Sequence, residues 1–274
     1  MNWFLSLNPI LQGFLATLFT WFITALGSSI VFFFKDVKKS ILNAMLGFGA
    51  GVMIAASFWS LLSPAIDLCD DLGYNSWLIP TIGFVIGGLF IVLSDKFLDK
   101  FSFNNLKNED GLQFKSFKKS ILLVLAVTLH NIPEGLSVGV AFGGAALGIP
   151  GCTVASAILL AIGIGLQNFP EGAAVSLPLR REGFSVVKSF FYGQASGLVE
   201  PIAGILGVFM ALTMRSILPI LLSFSAGAMI GVVSSELIPE ACIENKNLTT
   251  IGVIIGFSLM MILDVALGYI NRLC

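Results

Sequence analysis

The sequence holds a single histidine, His130, and only four cysteines, Cys69, Cys152, Cys242 and Cys274. No two cysteines form a CxxC pair, so their spacing signals neither a structural zinc site nor a disulfide framework. One histidine and no HExxH leaves out the usual ligand set of a zinc hydrolase. Charge is scarce too. Asp, Glu, Lys and Arg make up 11% of the chain, against roughly 25% in an ordinary soluble domain. The 15 basic and 16 acidic residues give a net charge of −1, which is no electrostatic footprint for nucleic acid. No basic residue precedes Lys35. The charged start of a cleavable leader is missing, and the first apolar stretch is expected to be a membrane helix.

What is abundant is apolar. Hydrophobic residues form 56% of the 274, and the mean hydropathy is +0.94. A bilayer crossing takes about 20 mostly apolar residues. Eight segments qualify, at about 9–34, 41–66, 76–97, 119–142, 152–179, 186–211, 217–238 and 249–270. The expectation is an all-α polytopic membrane protein with eight transmembrane helices in a single domain over 1–274. Its natural partner is the lipid bilayer. The one sizeable connection, 96–118, is charged and contains Asn104, Asn105 and Gly111, and it reads as a flexible loop.

Basic residues set the orientation. The connections after helices 1, 3, 5 and 7 hold 13 of the 15, among them Lys35, Lys96, Lys118, Arg180 and Lys246; the other side holds Arg215 and Arg272. These connections, the 96–118 loop included, are expected in the cytoplasm, with both termini outside and the chain in the cell (plasma or inner) membrane.

The sequence repeats itself. Phe48-Gly49-Ala50-Gly51-Val52-Met53-Ile54 resembles Phe224-Ser225-Ala226-Gly227-Ala228-Met229-Ile230. Thr81-Ile82-Gly83, Gly87 and Asp95 match Thr250-Ile251-Gly252, Gly256 and Asp264, and Ala25-Leu26-Gly27 matches Ile205-Leu206-Gly207 more weakly. Helices 1–3 and 6–8 therefore read as repeats. The offset of five helices is odd, so the copies are inverted, an architecture of alternating-access transporters.

Between the repeats, helices 4 and 5 match each other. One carries His130-Asn131-Ile132-Pro133-Glu134-Gly135 and the other Gln167-Asn168-Phe169-Pro170-Glu171-Gly172. Glu200 lies mid-helix 6 beside Pro201. An ionisable group at the bilayer centre costs about 2.5 kcal/mol or more even on the lenient insertion scale. Three carboxylates at one depth also repel, and no Lys or Arg is expected there to pair with them. A bound divalent cation offsets both costs. Helical spacing puts His130, Asn131 and Glu134 on one face, and Gln167, Asn168 and Glu171 on another. Facing helices would present all six to a common space that Glu200 could close. One imidazole with many oxygens suits Zn²⁺ or a related divalent ion better than Cu(I). Each proline also frees a carbonyl, expected at Leu129, Leu166 and Gly197.

Further acids mark a cation path. Asp67 and Asp264 lie toward the outer ends of helices 2 and 8, with Met53 and Ser60 along helix 2; Asp95, Glu236 and Glu240 lie at the inner ends of helices 3 and 7. Two other functions compete. A proton-coupled carrier of an organic solute explains the acids but not the imidazole and amides spaced beside them. An intramembrane metal hydrolase lacks the histidines. The chain is therefore not expected to be an enzyme.

The two hexads, the Gly-Gln-Ala-Ser-Gly-Leu-Val-Glu-Pro stretch at 193–201 and the eight-helix plan resemble the ZIP (Zrt/Irt-like) family of divalent metal transporters. The Gln-Asn-Phe-Pro-Glu-Gly version on helix 5 is similar to the GufA-type branch. The resemblance implies a 3+2+3 helix arrangement and uptake of Zn²⁺, or of Cd²⁺, Fe²⁺ or Mn²⁺, toward the cytoplasm; it is also compatible with a homodimer. It implies a two-ion centre as well. The first position would use His130, Glu134, Gln167 and Glu171. The second would use Asn131, Glu134, Asn168, Glu171 and Glu200, with Glu134 and Glu171 bridging. Some relatives have Asp where this chain has Asn168, which removes one charge from the second position. Many carry a His-rich loop between helices 3 and 4, and here that loop has no histidine.

Overall fold

The computed structural model describes the backbone of residues 2–34, 38–106, 112–149, 152–243 and 245–273, and of these the side chains outside 2, 39, 98–106, 112–123, 126 and 266–273. Among the described residues every regular element is helical. After a single turn at Asn2–Leu5 come α1 (Pro9–Phe32), α2 (Ser40–Asp71) and α3 (Leu78–Leu106). These are followed by α4 (Leu112–Ala146), α5 (Val154–Arg181), α6 (Val186–Thr213), α7 (Arg215–Ala241) and α8 (Lys246–Leu273). Among the described residues, seven of them, α1–α3 and α5–α8, are long and apolar enough to cross a membrane. The chain is thus a polytopic all-α membrane protein. α4 spans 35 residues, of which the side chains of 112–123 and 126 lie outside the described ones.

Helix starts follow local chemistry. Asn8 caps α1 by accepting from the Leu11 N–H at 2.8 Å, with Pro9 at the first helical position. Thr153 and Ser156 form a reciprocal capping box at α5, and Ser185 caps α6. The stretch 96–118 is mostly helical: α3 runs on to Leu106 and α4 begins at Leu112. Residues 107–111, with Lys107 and Gly111, lie outside the described residues, as does Lys35.

The helices pack in four main pairs: α2 with α8, α3 with α7, α1 with α5, and α4 with α6. Glycines set how close they come. A Cβ on Gly51 would collide with the Val253 carbonyl oxygen, and one on Gly227 with that of Phe84. Small residues let membrane helices touch at the backbone. Burial divides the bundle: within α2, α5 and α7 the most apolar window is 61% buried, against 22% in α3 and α8. α3 and α8 therefore turn most of their apolar surface outward, where a bilayer would meet it.

α2 and α7 each contain one widened turn with i→i+5 geometry, at Ser57–Leu62 and Val233–Leu237. Pro64 and Pro239 follow closely in sequence. A proline lacks the N–H that would continue the ladder and crowds the preceding turn, and a widened turn accommodates both effects.

Candidate metal centre

All seven residues expected at the centre are buried: His130, Asn131, Glu134, Gln167, Asn168, Glu171 and Glu200. Two backbone approaches bring their helices together. A Cβ on Gly135 would collide with the Glu200 carbonyl oxygen, and one on Gly172 with that of Thr24. The closing glycine of each hexad therefore lets α4 touch α6, and α5 touch α1, beside the carboxylates.

The hexads differ in what their polar atoms do. On α5, Gln167 Nε2 donates to Asn168 Oδ1 at 2.9 Å. Asn168 Nδ2 donates to Glu200 Oε1 at 2.9 Å and Oε2 at 3.0 Å. Glu200 also accepts from the hydroxyls of Thr20 and Thr24 on α1. On α4, Asn131 Nδ2 donates to the Ser196 carbonyl at 3.0 Å. That carbonyl sits where α6 tightens into a 3₁₀ turn, Ser196–Leu198, ahead of Glu200 and Pro201.

Three buried α4 atoms have no hydrogen-bond partner: His130 Nε2, Asn131 Oδ1 and Glu134 Oε2. Native interiors rarely leave such atoms unpaired, and each is a metal-ligand type. Because Asn131 commits its nitrogen to Ser196, its oxygen is the atom left to point elsewhere.

The imidazole of His130 faces α3 and α7. Its Nδ1 lies 3.3 Å from Glu236 Oε2, and its Nε2 lies 3.7 Å from Asp95 Oδ1, too far for a hydrogen bond. Among the described residues, Asp95, His130 and Glu236 each offer one ligand atom within 4.8 Å of the others. His130 therefore stands between the carboxylate Glu134, one turn along α4, and the acids of α3 and α7.

A profile described as ZIP Zinc transporter matches residues 104–264. The chain belongs to the ZIP family. It is 39% identical to Zinc transporter ZIP11 of Xenopus tropicalis, over 95% of this chain and 98% of that protein. It is 35% identical to Zinc transporter ZIPB of Bordetella bronchiseptica, over 89% and 78%. It is 34% identical to Zinc transporter GufA of Myxococcus xanthus, over 93% and 99%.

In this ZIP chain the expected path residues separate into two groups. Ser60 Oγ donates to Asp264 Oδ1 at 2.9 Å, while Asp264 Oδ2 stays buried and unpaired. Asp95 and Glu236 meet His130, as above. Met53 is buried in the main core, and Asp67 and Glu240 are exposed. No hydrogen bond or ion pair described joins these three to either group.

Sequence reading missed three features around the candidate centre. Thr20 and Thr24 on α1 bond Glu200; with Thr17 they are polar residues at helical spacing in an otherwise apolar helix, a usable signal. Ser196 and the widened turns had fainter signals, in Pro201, Pro64 and Pro239.

Proposed function

We propose that the chain carries divalent metal ions, zinc first among them, across the cell (plasma or inner) membrane toward the cytoplasm. The observation that carries this is the set of unpaired buried ligand atoms on α4, His130 Nε2, Asn131 Oδ1 and Glu134 Oε2, beside the buried carboxylates Glu171 and Glu200. The named relatives, all zinc transporters, point the same way. In this reading the ion centre has two positions. His130, Glu134, Gln167 and Glu171 hold the first ion. Asn131, Glu134, Asn168, Glu171 and Glu200 hold the second, with Glu134 and Glu171 shared. Cd²⁺, Fe²⁺ and Mn²⁺ are the competing substrates.

All eight long helices, α4 included, cross the bilayer in a 3+2+3 plan, with α1–α3 and α6–α8 as inverted copies. Packing supports this. Exchanging α1 with α6, α2 with α7, α3 with α8 and α4 with α5 turns each main helix pair into another main pair. The matching holds in detail. Gly51 meets the Val253 carbonyl as Gly227 meets that of Phe84, and Gly87 meets Phe224 as Gly256 meets Phe48. The widened turns also correspond, so Ser60 with Asp264 is the outer counterpart of Glu236 with Asp95.

A route then runs from Asp67, Met53 and Ser60 with Asp264, through the centre, to His130, Asp95, Glu236 and Glu240. The inner group holds an imidazole and two carboxylates, while the outer group has Ser60 at the position of Glu236. Both termini face outside, and the α3–α4 connection lies in the cytoplasm. The bilayer covers the outward faces of α3 and α8; a homodimer would bury part of the same surface.

A carrier of organic solutes would have no use for three amide side chains and an imidazole gathered at buried carboxylates. Metal content separates the two functions. Purified protein in detergent, given Zn²⁺ and passed through a desalting column, should retain zinc in stoichiometric amount and lose it to a chelator. Protein that keeps no zinc would favour the organic-solute carrier.

A further inference from the structure

Glu200 is fully buried, and three side chains from two helices donate to it. Asn168 Nδ2 reaches both carboxylate oxygens, at 2.9 and 3.0 Å. The Thr20 hydroxyl bonds Oε2, and that of Thr24 lies 3.5 Å from Oε1. Thr20, Thr24 and Asn168 are themselves buried. The amide orientation is forced. Turned over, Asn168 would set its carbonyl oxygen against two carboxylate oxygens and the Thr20 carbonyl, which accepts from Nδ2 at 3.3 Å. Its own Oδ1 is already taken by Gln167. The matching residue on α4, Asn131, is the reverse case, with its nitrogen committed and its oxygen open.

We infer that Thr20, Thr24 and Asn168 form a hydrogen-bonded lock on Glu200 that keeps the second ion position closed, so that the resting protein takes one ion. This rests on the two-position reading of the centre. The amide turns N–H groups, not lone pairs, toward the carboxylate a second ion would need. They supply the positive charge density that a cation would otherwise bring to Glu200. A second ion has to displace these donors. The hydroxyls have somewhere to go when it does. Thr20 Oγ1 lies 2.9 Å from the Thr17 carbonyl, and Thr24 Oγ1 lies 3.3 Å from that of Thr20. Back-bonding of this kind satisfies a hydroxyl within its own helix. The two hydroxyls therefore let go without being stranded, Asn168 Nδ2 keeps the Thr20 carbonyl at 3.3 Å as its acceptor, and α1 senses whether Glu200 holds an ion. Thr20 and Thr24 act as positioning residues, since they touch the carboxylate and not the cargo.

The test is zinc stoichiometry and affinity on the purified full chain in detergent, measured by equilibrium dialysis against Zn²⁺. Wild type should bind one ion tightly, with the second much weaker. Asn168→Asp turns a donor into an anionic ligand and should give two tightly bound ions. Thr20→Val removes one donor to a charged acceptor and should raise second-ion affinity about tenfold. Thr20→Ser restores the hydroxyl and should restore wild-type behaviour. Two ions of similar affinity in wild type would overturn the lock while leaving the metal centre standing. So would Thr20→Ser behaving like Thr20→Val, or an unchanged second ion in Asn168→Asp. If Thr20→Val does not fold, Asn168→Asp decides alone. Zinc binding to none of the forms would instead remove the metal centre itself.

Discussion

Replacing Glu134 by alanine is expected to abolish zinc flux, and Glu171→Ala to do the same. In the proposed two-position centre each carboxylate is shared between both ions, so either change would strip a charged ligand from both. Losing a group that merely orients a metal ligand costs about 10–100-fold in affinity, and losing a shared ligand should cost more. Asn131→Ala or Glu200→Ala touches only the second position and should leave substantial flux. Stability separates this from a packing role. Glu134 is buried with Oε2 unpaired, a costly arrangement for a carboxylate in an apolar interior. Glu134→Gln should therefore unfold no more readily than wild type in the absence of metal, while zinc flux is lost. Near-normal flux in Glu134→Ala would rule out the shared-ligand centre.

A change of metal preference is the second large effect, in His130→Gln. Gln keeps a polar side chain of similar reach but removes the nitrogen ligand. It also makes α4 resemble α5, which has Gln167 at the matching position. Imidazole favours Zn²⁺ and Cd²⁺ over Mn²⁺, which is content with oxygen. Zinc and cadmium flux should fall about tenfold relative to manganese. The structure places His130 against Asp95 and Glu236 as well as one turn from Glu134. Asp95→Asn and Glu236→Gln should therefore shift preference in the same direction, more weakly. Relative flux of the three ions in wild type and each variant is the measurement. Unchanged preference with binding intact would make His130 a packed residue rather than a ligand.

The residues of the proposed centre stood out in the sequence because burying them is costly. A carboxylate, an imidazole or an amide in an apolar helix needs a reason, and all seven singled out in the sequence are buried. Their partners were less legible, because partnership is set by packing between helices distant in sequence. Helical spacing aligned His130 with Glu134, but only the approach of α3 and α7 turns the imidazole toward Asp95 and Glu236. Glu200 stood out as an acid, whereas Thr20 and Thr24, 180 and 176 residues away, did not. Threonines bond their own helix so readily that they attract little notice. The repeat on α2 and α7 was visible as Phe48–Ile54 and Phe224–Ile230, but the widened turns that follow it were not. They depend on how Pro64 and Pro239 are accommodated, which sequence periodicity does not record.

Zinc flux into proteoliposomes reconstituted with the purified chain tests transport most directly. An internal fluorescent indicator would report Zn²⁺, Cd²⁺, Fe²⁺ and Mn²⁺ added outside, with a Glu134→Ala control. Saturable zinc uptake that the control lacks is the expected result. Wild-type vesicles that admit no divalent ion faster than the Glu134→Ala vesicles would contradict the proposal that this chain moves metal.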